Sequence, residues 1–268
     1  MAEDRDHFIA DMVHELERAA AVANWRRPDS VVDERPGWFQ ITTPSSKGRW
    51  HNRVVESVMT REEAPRRISE VIAHYRALGV DFAWRVGPSA APSDLGEILA
   101  NHGMVPTELV GMAAQVSRVS VSIEPRITVE RVGLHNVVDY VHASAAGWNN
   151  DPATAASLLA DMQRTLADPD NDCQFFVAYC DGEPAGSGAL WPVSARSEYF
   201  LGSSVAPKFR GLGVYRALVA ARITEMRSRG VPLATIWAMQ DTSAPICQRL
   251  GFEALCKARI YAWPSALA

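Results

Sequence analysis

The segment Val205-Ala206-Pro207-Lys208-Phe209-Arg210-Gly211-Leu212-Gly213-Val214-Tyr215 decides the fold. It separates a strand-like segment, EYFLGSSV (198–205), from a helical pattern that runs from about Gly213 to Arg229. Gly211 and Gly213 remove side chains where backbone must approach an anion, so successive N–H groups can face a diphosphate at the positive end of the helix. Arg210 adds a positive charge. The alternative is a tight strand-to-helix turn with a solvent-facing arginine, because short glycine patterns are frequent.

Helical and strand patterns continue on both sides of this segment. Before it, a strand at 127–132 leads into helices at 135–148 and 153–166 and a hairpin at 174–193 that turns at Asp181-Gly182. After it, a strand at 233–239, a short helix at 244–250 and a strand at 252–263 complete the second half. The first half is predicted to contain helices at 4–23, 62–78 and 94–102, strands at 38–44, 52–59, 80–86 and 108–121, and a connector at 26–37.

The two halves show a weak internal repeat. HYRALGVDFAWRV with LGEILANHGM (74–104) resembles EMRSRGVPLATIW with APICQRLGF (225–252), in the order helix, Gly-Val, strand, short helix, glycine. The order is common in α/β proteins, so coincidence remains the alternative. We interpret the repeat as two copies of one α/β fold and place the boundary near 119–125, where VSVSIEP ends in proline. The predicted domains are residues 1–122 and residues 123–268.

The second half resembles the GNAT-type N-acetyltransferases. The resemblance rests on V-x-P-x-x-R-G-x-G-V at 205–214, on Ala244–Phe252 with its Leu-Gly-Phe ending, and on the order of elements over about 126–263. It implies a tandem protein of class α/β (α+β), with two GNAT-like domains, each a mixed, mostly antiparallel sheet flanked by helices. We call the diphosphate-binding segment at 205–215 the cradle. At the corresponding place the first domain has MTREEAPRR (59–67), which contains no glycine, so we predict that this domain binds no coenzyme A.

The resemblance implies acetyl-CoA, or another acyl-CoA, as co-substrate. Arg210 and Gly213 match the first and fourth positions of the family's cradle, whereas Tyr215 stands where glycine or alanine is usual. The strand before the cradle is expected to offer its backbone to the pantetheine arm. The residues assigned to acyl-CoA are Ser203, Ser204, Val205, Arg210, Gly211, Leu212, Gly213, Val214, Tyr215 and Ser243.

The acid and base of amide formation are less clearly marked. The family's usual general acid is a tyrosine, and Cys247 stands at its position. A thiol can protonate a leaving thiolate of similar basicity, but a free cysteine is also often a buried filler. Tyr215 and Ser243 are alternative proton donors. Glu198, on the strand before the cradle, is the candidate base; the alternatives are an exposed carboxylate and a water chain that removes the proton.

The acceptor pocket of such a fold lies between the first two helices and the hairpin. The candidates there are His142, Trp148, Asn149 and Trp191. Two tryptophans can wall an aromatic or extended substrate, although tryptophan at the end of an element is as often packing. We expect a small-molecule amine as acceptor.

Composition narrows the function classes. The chain has 268 residues, 47% hydrophobic and 22% charged, with net charge −4, which is typical of a globular protein. The charge argues against binding to nucleic acid, and the apolar runs are too short to span a membrane. The four cysteines contain no C-x-x-C pair, so we expect reduced thiols, no metal and a cytoplasmic protein. Monomer and homodimer both remain open.

Three functions are compatible with these patterns. The first is a CoA-dependent N-acyltransferase that acts on a small amine by direct transfer in a ternary complex. The second is a non-catalytic acyl-CoA-binding or sensing protein, in which the cradle is kept and the acid is lost. The third is a protein lysine acetyltransferase, which would need an open acidic groove.

Overall fold

Seven helices and eleven strands make up the part of the chain that the computed structural model describes, residues 2–22 and 26–263. The helices are α1 (Ala2–Val22), α2 (Ala64–Leu78), α3 (Leu95–Asn101), α4 (Val137–Trp148), α5 (Pro152–Ala167), α6 (Val214–Ser228) and α7 (Ser243–Arg249). The strands are β1 (Val31–Arg35), β2 (Trp38–Thr42), β3 (Arg53–Ser57), β4 (Phe82–Val86), β5 (Val105–Gln115), β6 (Ile127–Arg131), β7 (Gln174–Cys180), β8 (Glu183–Pro192), β9 (Ser197–Val205), β10 (Leu233–Met239) and β11 (Glu253–Trp263). None of the helices in these ranges combines the length and apolar character that a bilayer crossing requires.

The first compact unit, unit 1, comprises the described residues of Met1–Met112, Trp237–Ala244 and Ala254–Ala268. Its strand order is β1-β2-β3-β4-β11-β5. The pairs β1/β2, β2/β3 and β4/β11 are antiparallel and β3/β4 is parallel. Its core packs the apolar side of α2 and α3 on aromatic side chains of the sheet, among them Trp38, Phe82, Trp84, Tyr261 and Trp263.

The N-terminal edge of unit 1 differs from the prediction. The connector expected at 26–37 contains β1, which pairs with β2 from Val31↔Thr42 to Arg35↔Trp38. Four of its five residues are exposed, so the segment lacks the alternation of buried and exposed residues that marks a half-buried strand. Its pairing comes from the turn at Pro36-Gly37, where Gly37 has φ 75°.

The last strand of the chain lies in unit 1. β11 pairs with β4 from Arg259↔Val86 to Trp263↔Phe82, and Tyr261 and Trp263 join the core of that unit. The domain expected at 123–268 included this strand, because it follows the other elements of the second half in sequence. The pairing of β11 with β4 assigns its residues 254–263 to unit 1 instead.

The second compact unit, unit 2, comprises Ala113–Ile236 and Pro245–Glu253. Its strand order is β10-β9-β8-β7-β6, with three antiparallel pairs and the parallel pair β9/β10. The predicted hairpin is confirmed: β7 and β8 turn at Asp181 (φ 51°) and Gly182 (φ 83°), the left-handed pair that Asp-Gly favours. The mixed α/β class with a mostly antiparallel sheet is likewise confirmed.

The internal repeat is visible in the backbone. Gly79 after α2 and Gly230 after α6 both adopt left-handed angles, φ 61° and 71°. Gly103 after α3 and Gly251 after α7 do the same, at φ 85° and 99°. Each pair of helices is thus ended by glycine at equivalent places, as the sequence predicted.

Candidate active site

The cradle connects β9 to α6. A 3-10 turn at Pro207–Phe209 follows β9, and Gly211 (φ 79°) and Gly213 (φ 91°) then turn the chain into the helix in left-handed conformations. Gly213 is the N-cap of α6, and no side chain caps the amides of the first turn. These N–H groups have no partner within the helix, so they and the helix dipole form a site for an anion.

Arg210 holds the cradle to its surroundings. Its Nε donates to the Val205 carbonyl at 3.3 Å and its Nη2 donates to the Gly147 carbonyl, at the end of α4, at 3.4 Å. The side chain remains exposed, so its charge faces solvent as well as these two carbonyls. Arg210 therefore joins the end of β9, the cradle and the end of α4.

Before it reaches the cradle, β9 loses its pairing with β10, and a bulge interrupts its pairing with β8. Its registered pairs with β10 stop at Tyr199↔Thr235, although β9 continues to Val205. On the other side, Ser187 pairs with Ser204 and Ala189 with Leu201, so Gly188 alone faces Gly202 and Ser203. This is a β-bulge, with Gly202 at φ 61°. Ser204 and Val205 pair again with β8, so the strand that leads into the cradle is without a registered partner only on the side of β10.

A phenol and a thiol meet at the start of α6. Tyr215 Oη lies 3.3 Å from Cys247 Sγ, on α7, and the two share a hydrogen bond. Cys247 is fully buried, whereas Tyr215 is only half-buried. Burial raises the pKa of the Cys247 thiol, and the Tyr215 hydrogen bond and the charge of Arg222 oppose that rise. The Cys247 thiol is consequently protonated near neutral pH.

Comparison with known proteins identifies this unit. Residues 142–252 match the family model described as the acetyltransferase (GNAT) family. A curated acetyltransferase from Photorhabdus laumondii is 35% identical over 97 residues, which cover 35% of this chain and 64% of the relative. The match thus spans less than two thirds of that relative's length. Residues 142–252 belong to the GNAT family.

Solved structures extend the likeness in fold beyond the GNAT domain. A GCN5-related N-acetyltransferase from Kribbella flavida has a TM-score of 0.66 at 15% identity, covering 94% of this chain and 95% of its own. A conserved protein of unknown function from Staphylococcus epidermidis has a TM-score of 0.70 at 14% identity, covering 88% and 94%. A tandem GNAT protein from the clavulanic acid biosynthesis pathway has a TM-score of 0.57 at 14% identity, covering 97% and 96%. The chain as a whole therefore has the fold of a tandem GNAT protein.

Glu198 lies away from the cradle of the GNAT domain. Both of its oxygens accept hydrogen bonds from Arg229, at 2.5 and 2.7 Å, and the residue is 2% exposed. It is the second residue of β9, seven residues before Val205, or roughly 23 Å along a strand. Burial raises the pKa of Glu198, and the Arg229 charge acts against that rise. The structure therefore places the candidate base in a buried ion pair, neither at the cradle nor exposed to solvent.

The acceptor candidates are spread over two ends of the sheet. Trp148 is 42% exposed and Asn149 ends α4 with φ 56°, so both lie beside the Gly147 carbonyl that Arg210 contacts. His142 is exposed one and a half turns earlier on α4. Trp191 pairs with Tyr199, at the end of β8 opposite to the cradle. Trp148 and Trp191 therefore do not line the same pocket.

The Ser243 side chain stabilises the turn that precedes α7. Its Oγ accepts a hydrogen bond from the Met239 amide at 2.9 Å. The residue belongs to unit 1, whereas the cradle belongs to unit 2. Ser203 lies in the bulge, and Ser204 and Val205 pair with Ser187 and Gly186 at the end of β9.

Sequence reasoning missed Arg222. This residue of α6 is fully buried, and its guanidinium lies 4.2 Å from the ring centroid of Phe200 on β9. The signal was present, because Val214, Leu218, Arg222 and Met226 recur every four residues and form one buried side of the helix. An arginine in a helix is usually exposed, so the residue type concealed the pattern.

Proposed function

We propose that the GNAT domain transfers an acetyl or other short acyl group from acyl-CoA to the amine of a small molecule, directly, in a ternary complex. The observation that carries the proposal is the pair of left-handed glycines at a helix N-terminus without a side-chain cap, directly after a strand whose pairing with β10 has ended. The amides of the first turn of α6 and Arg210 bind the diphosphate. The backbone of Ser203–Val205, which has no registered partner on β10, binds the pantetheine arm and polarises the thioester carbonyl.

The reaction then needs only proton transfers. The neutral amine attacks the thioester carbon, the tetrahedral oxyanion collapses, and the C–S bond breaks with release of the CoA thiolate. We assign the protonation of that thiolate to Tyr215, a half-buried residue in the first turn of α6. Cys247 orients the phenol through the 3.3 Å hydrogen bond. Water removes the amine proton, because Glu198 is occupied by Arg229.

The binding step is tested with a pair of glycine variants. Gly213→Glu places a bulky carboxylate where the diphosphate binds, so its affinity for acetyl-CoA is expected to fall about 100-fold or more. Gly230→Glu is the matched control, because Gly230 is also left-handed (φ 71°) but follows the other end of α6. Titration calorimetry with acetyl-CoA measures both. Equal affinities in the two variants would contradict the assignment of the cradle.

Turnover is tested by the release of free thiol from acetyl-CoA in the presence of a panel of small amines. Release that depends on the amine supports an N-acyltransferase. Tight binding of acetyl-CoA without release over the whole panel favours the acyl-CoA sensor instead. Release only with lysine-containing peptides favours a protein acetyltransferase.

A further inference from the structure

Arg222 is a cation enclosed in the core of unit 2. Its Nε donates to the Leu218 carbonyl at 2.9 Å and its Nη1 donates to the Ala189 carbonyl at 3.3 Å. Its Nη2 is buried and has no hydrogen-bond partner among the described residues. The side chain is 0% exposed. The guanidinium is thus held by two backbone carbonyls and the face of Phe200, and no carboxylate pairs with it in the described part of the chain.

The guanidinium lies against the β-bulge. The Ala189 carbonyl that it binds belongs to the residue directly after Gly188, where β8 faces two residues of β9. A Cβ atom built on Gly188 would lie 3.2 Å from Ser203 Oγ and 3.3 Å from Arg222 Cζ. Gly188 therefore leaves the room in which the guanidinium and the bulged residue Ser203 approach each other.

Stability does not account for such a residue. A buried charge whose hydrogen bonds are incomplete costs free energy, and replacing buried ionic groups by apolar residues of similar volume is often neutral or stabilising. Burial lowers the pKa of Arg222 to about 10, which leaves it charged at neutral pH. An apolar side chain would fill the same space without this cost. Residues that break the rules of core composition in this way are concentrated at functional sites.

We propose that Arg222 is a positioning residue for acyl transfer, which holds the β8–β9 bulge in the shape that presents the backbone of Ser203–Val205 to the thioester. The effect on acyl transfer rests on the proposed function. The structural part of the proposal does not depend on that function: the guanidinium joins α6 to the Ala189 carbonyl, one residue after Gly188 in the bulge. The hydrogen bonds of Arg222 go to the Leu218 and Ala189 carbonyls and not to the cradle, so we assign its effect on the acyl group to the backbone of the bulge.

The test compares Arg222→Met with Arg227→Met. Arg227 lies on the same helix and also donates to backbone carbonyls, those of Val116 and Val119, but far from the bulge. In Arg222→Met we expect kcat for thiol release to fall about 10- to 100-fold, as misplacement of reacting groups does. The dissociation constant for acetyl-CoA should change less than about threefold, because the cradle is unchanged. Arg227→Met should keep the wild-type kcat and lose only stability.

A second readout needs no activity. Amide hydrogen exchange of residues 201–205 in the free protein should accelerate at least about tenfold in Arg222→Met, and not in Arg227→Met. Unchanged exchange at these amides overturns the proposal, whatever the acyltransferase assays give. A wild-type kcat in Arg222→Met overturns its catalytic part, whereas failure of the wild-type protein to bind acetyl-CoA overturns the proposed function.

A third variant covers the case in which Arg222→Met does not fold. Gly188→Ala adds one methyl group that presses on both the guanidinium and Ser203 Oγ by a few tenths of an ångström. We expect the same fall in kcat and the same faster exchange at 201–205, with a smaller amplitude. Wild-type behaviour of Gly188→Ala in both measurements would reject the proposal.

Discussion

Tyr215 and Cys247 depart from the GNAT pattern together. The pattern has a small residue where Tyr215 stands and a tyrosine where Cys247 stands, and the two side chains lie 3.3 Å apart. A phenol is thus present at this place, but it comes from α6 instead of α7, and the small thiol leaves room for it. The structure brings these two departures into contact, and we propose that one compensates for the other.

The first prediction separates the two side chains. Tyr215→Phe should lower kcat by about 10²–10⁴-fold, because it removes the proton donor and keeps the ring. Cys247→Ala should cost about 1–2 kcal/mol of unfolding free energy and keep most of the rate, since a small buried group is lost. Thiol release and thermal unfolding measured on both variants check this. The reverse result, a large loss of rate only in Cys247→Ala, would make the thiol the acid.

A second residue-scale prediction concerns pH. Burial raises the pKa of Glu198 in the folded state. At pH values between the pKa of Glu198 in the unfolded state and its pKa in the folded state, the folded protein therefore binds more protons than the unfolded one. The stability that Glu198 contributes is therefore present at low pH and is lost across that interval. Glu198→Gln has no such titration. We expect the difference in unfolding free energy, wild type minus Glu198→Gln, to fall as pH rises above about 4.5 and then to level off. A difference that rises with pH would contradict the upward shift of the Glu198 pKa.

At the scale of elements, the last strand, β11, contributes directly to the stability of unit 1. Tyr261 and Trp263 of β11 are buried in the core of unit 1, and β11 pairs with β4 over five residues. Trp263→Ala should destabilise unit 1 by about 3 kcal/mol, the usual cost of removing a buried aromatic ring. Arg259→Gln is the control, because its ion pair with Glu108 is more than half exposed on the arginine side and contributes about 1 kcal/mol or less. Hydrogen exchange at residues 82–86 should accelerate only in Trp263→Ala.

The elements also show where prediction from sequence ends. Three features were predictable from the sequence: the cradle, the Asp-Gly hairpin and the glycines that end the helices. Each depends on a few residues that are neighbours in the sequence. The pairing of Glu198 with Arg229 joins residues 31 apart, and the pairing of β11 with β4 joins residues more than 170 apart, so neither leaves a local pattern. β1 was missed because an exposed edge strand has no apolar period.

At the scale of the whole molecule, the two units differ in what precedes their central helix. In unit 1, α2 is preceded by Glu63 instead of glycine, and the Glu63 carboxylate accepts the Thr60 amide at 3.0 Å. That hydrogen bond lowers the pKa of Glu63, so a negative charge already occupies this helix N-terminus and repels a diphosphate. We therefore predict one acetyl-CoA per chain by titration calorimetry. Two sites per chain would contradict the prediction.

The division into units also predicts which fragments behave well. A fragment of residues 126–268 carries β11 without β4, so Tyr261 and Trp263 lose their partners and become exposed apolar surface. A fragment of residues 113–253 omits that strand and follows the bounds of unit 2. We expect the shorter fragment to be the more soluble of the two on expression. Equal solubility would show that β11 is not held by unit 1.

The position of β11 sets an order of events during synthesis. β4 leaves the ribosome well before the strand that pairs with it, since Phe82 and its partner Trp263 are about 180 residues apart. Domains generally fold as units while the chain emerges, and contacts distant in sequence form slowly. The N-terminal half of this chain must therefore wait, with an unfilled place in its sheet, until translation is nearly complete. Chaperones that shield unpaired strand edges would be needed longest by the part of the protein that is made first.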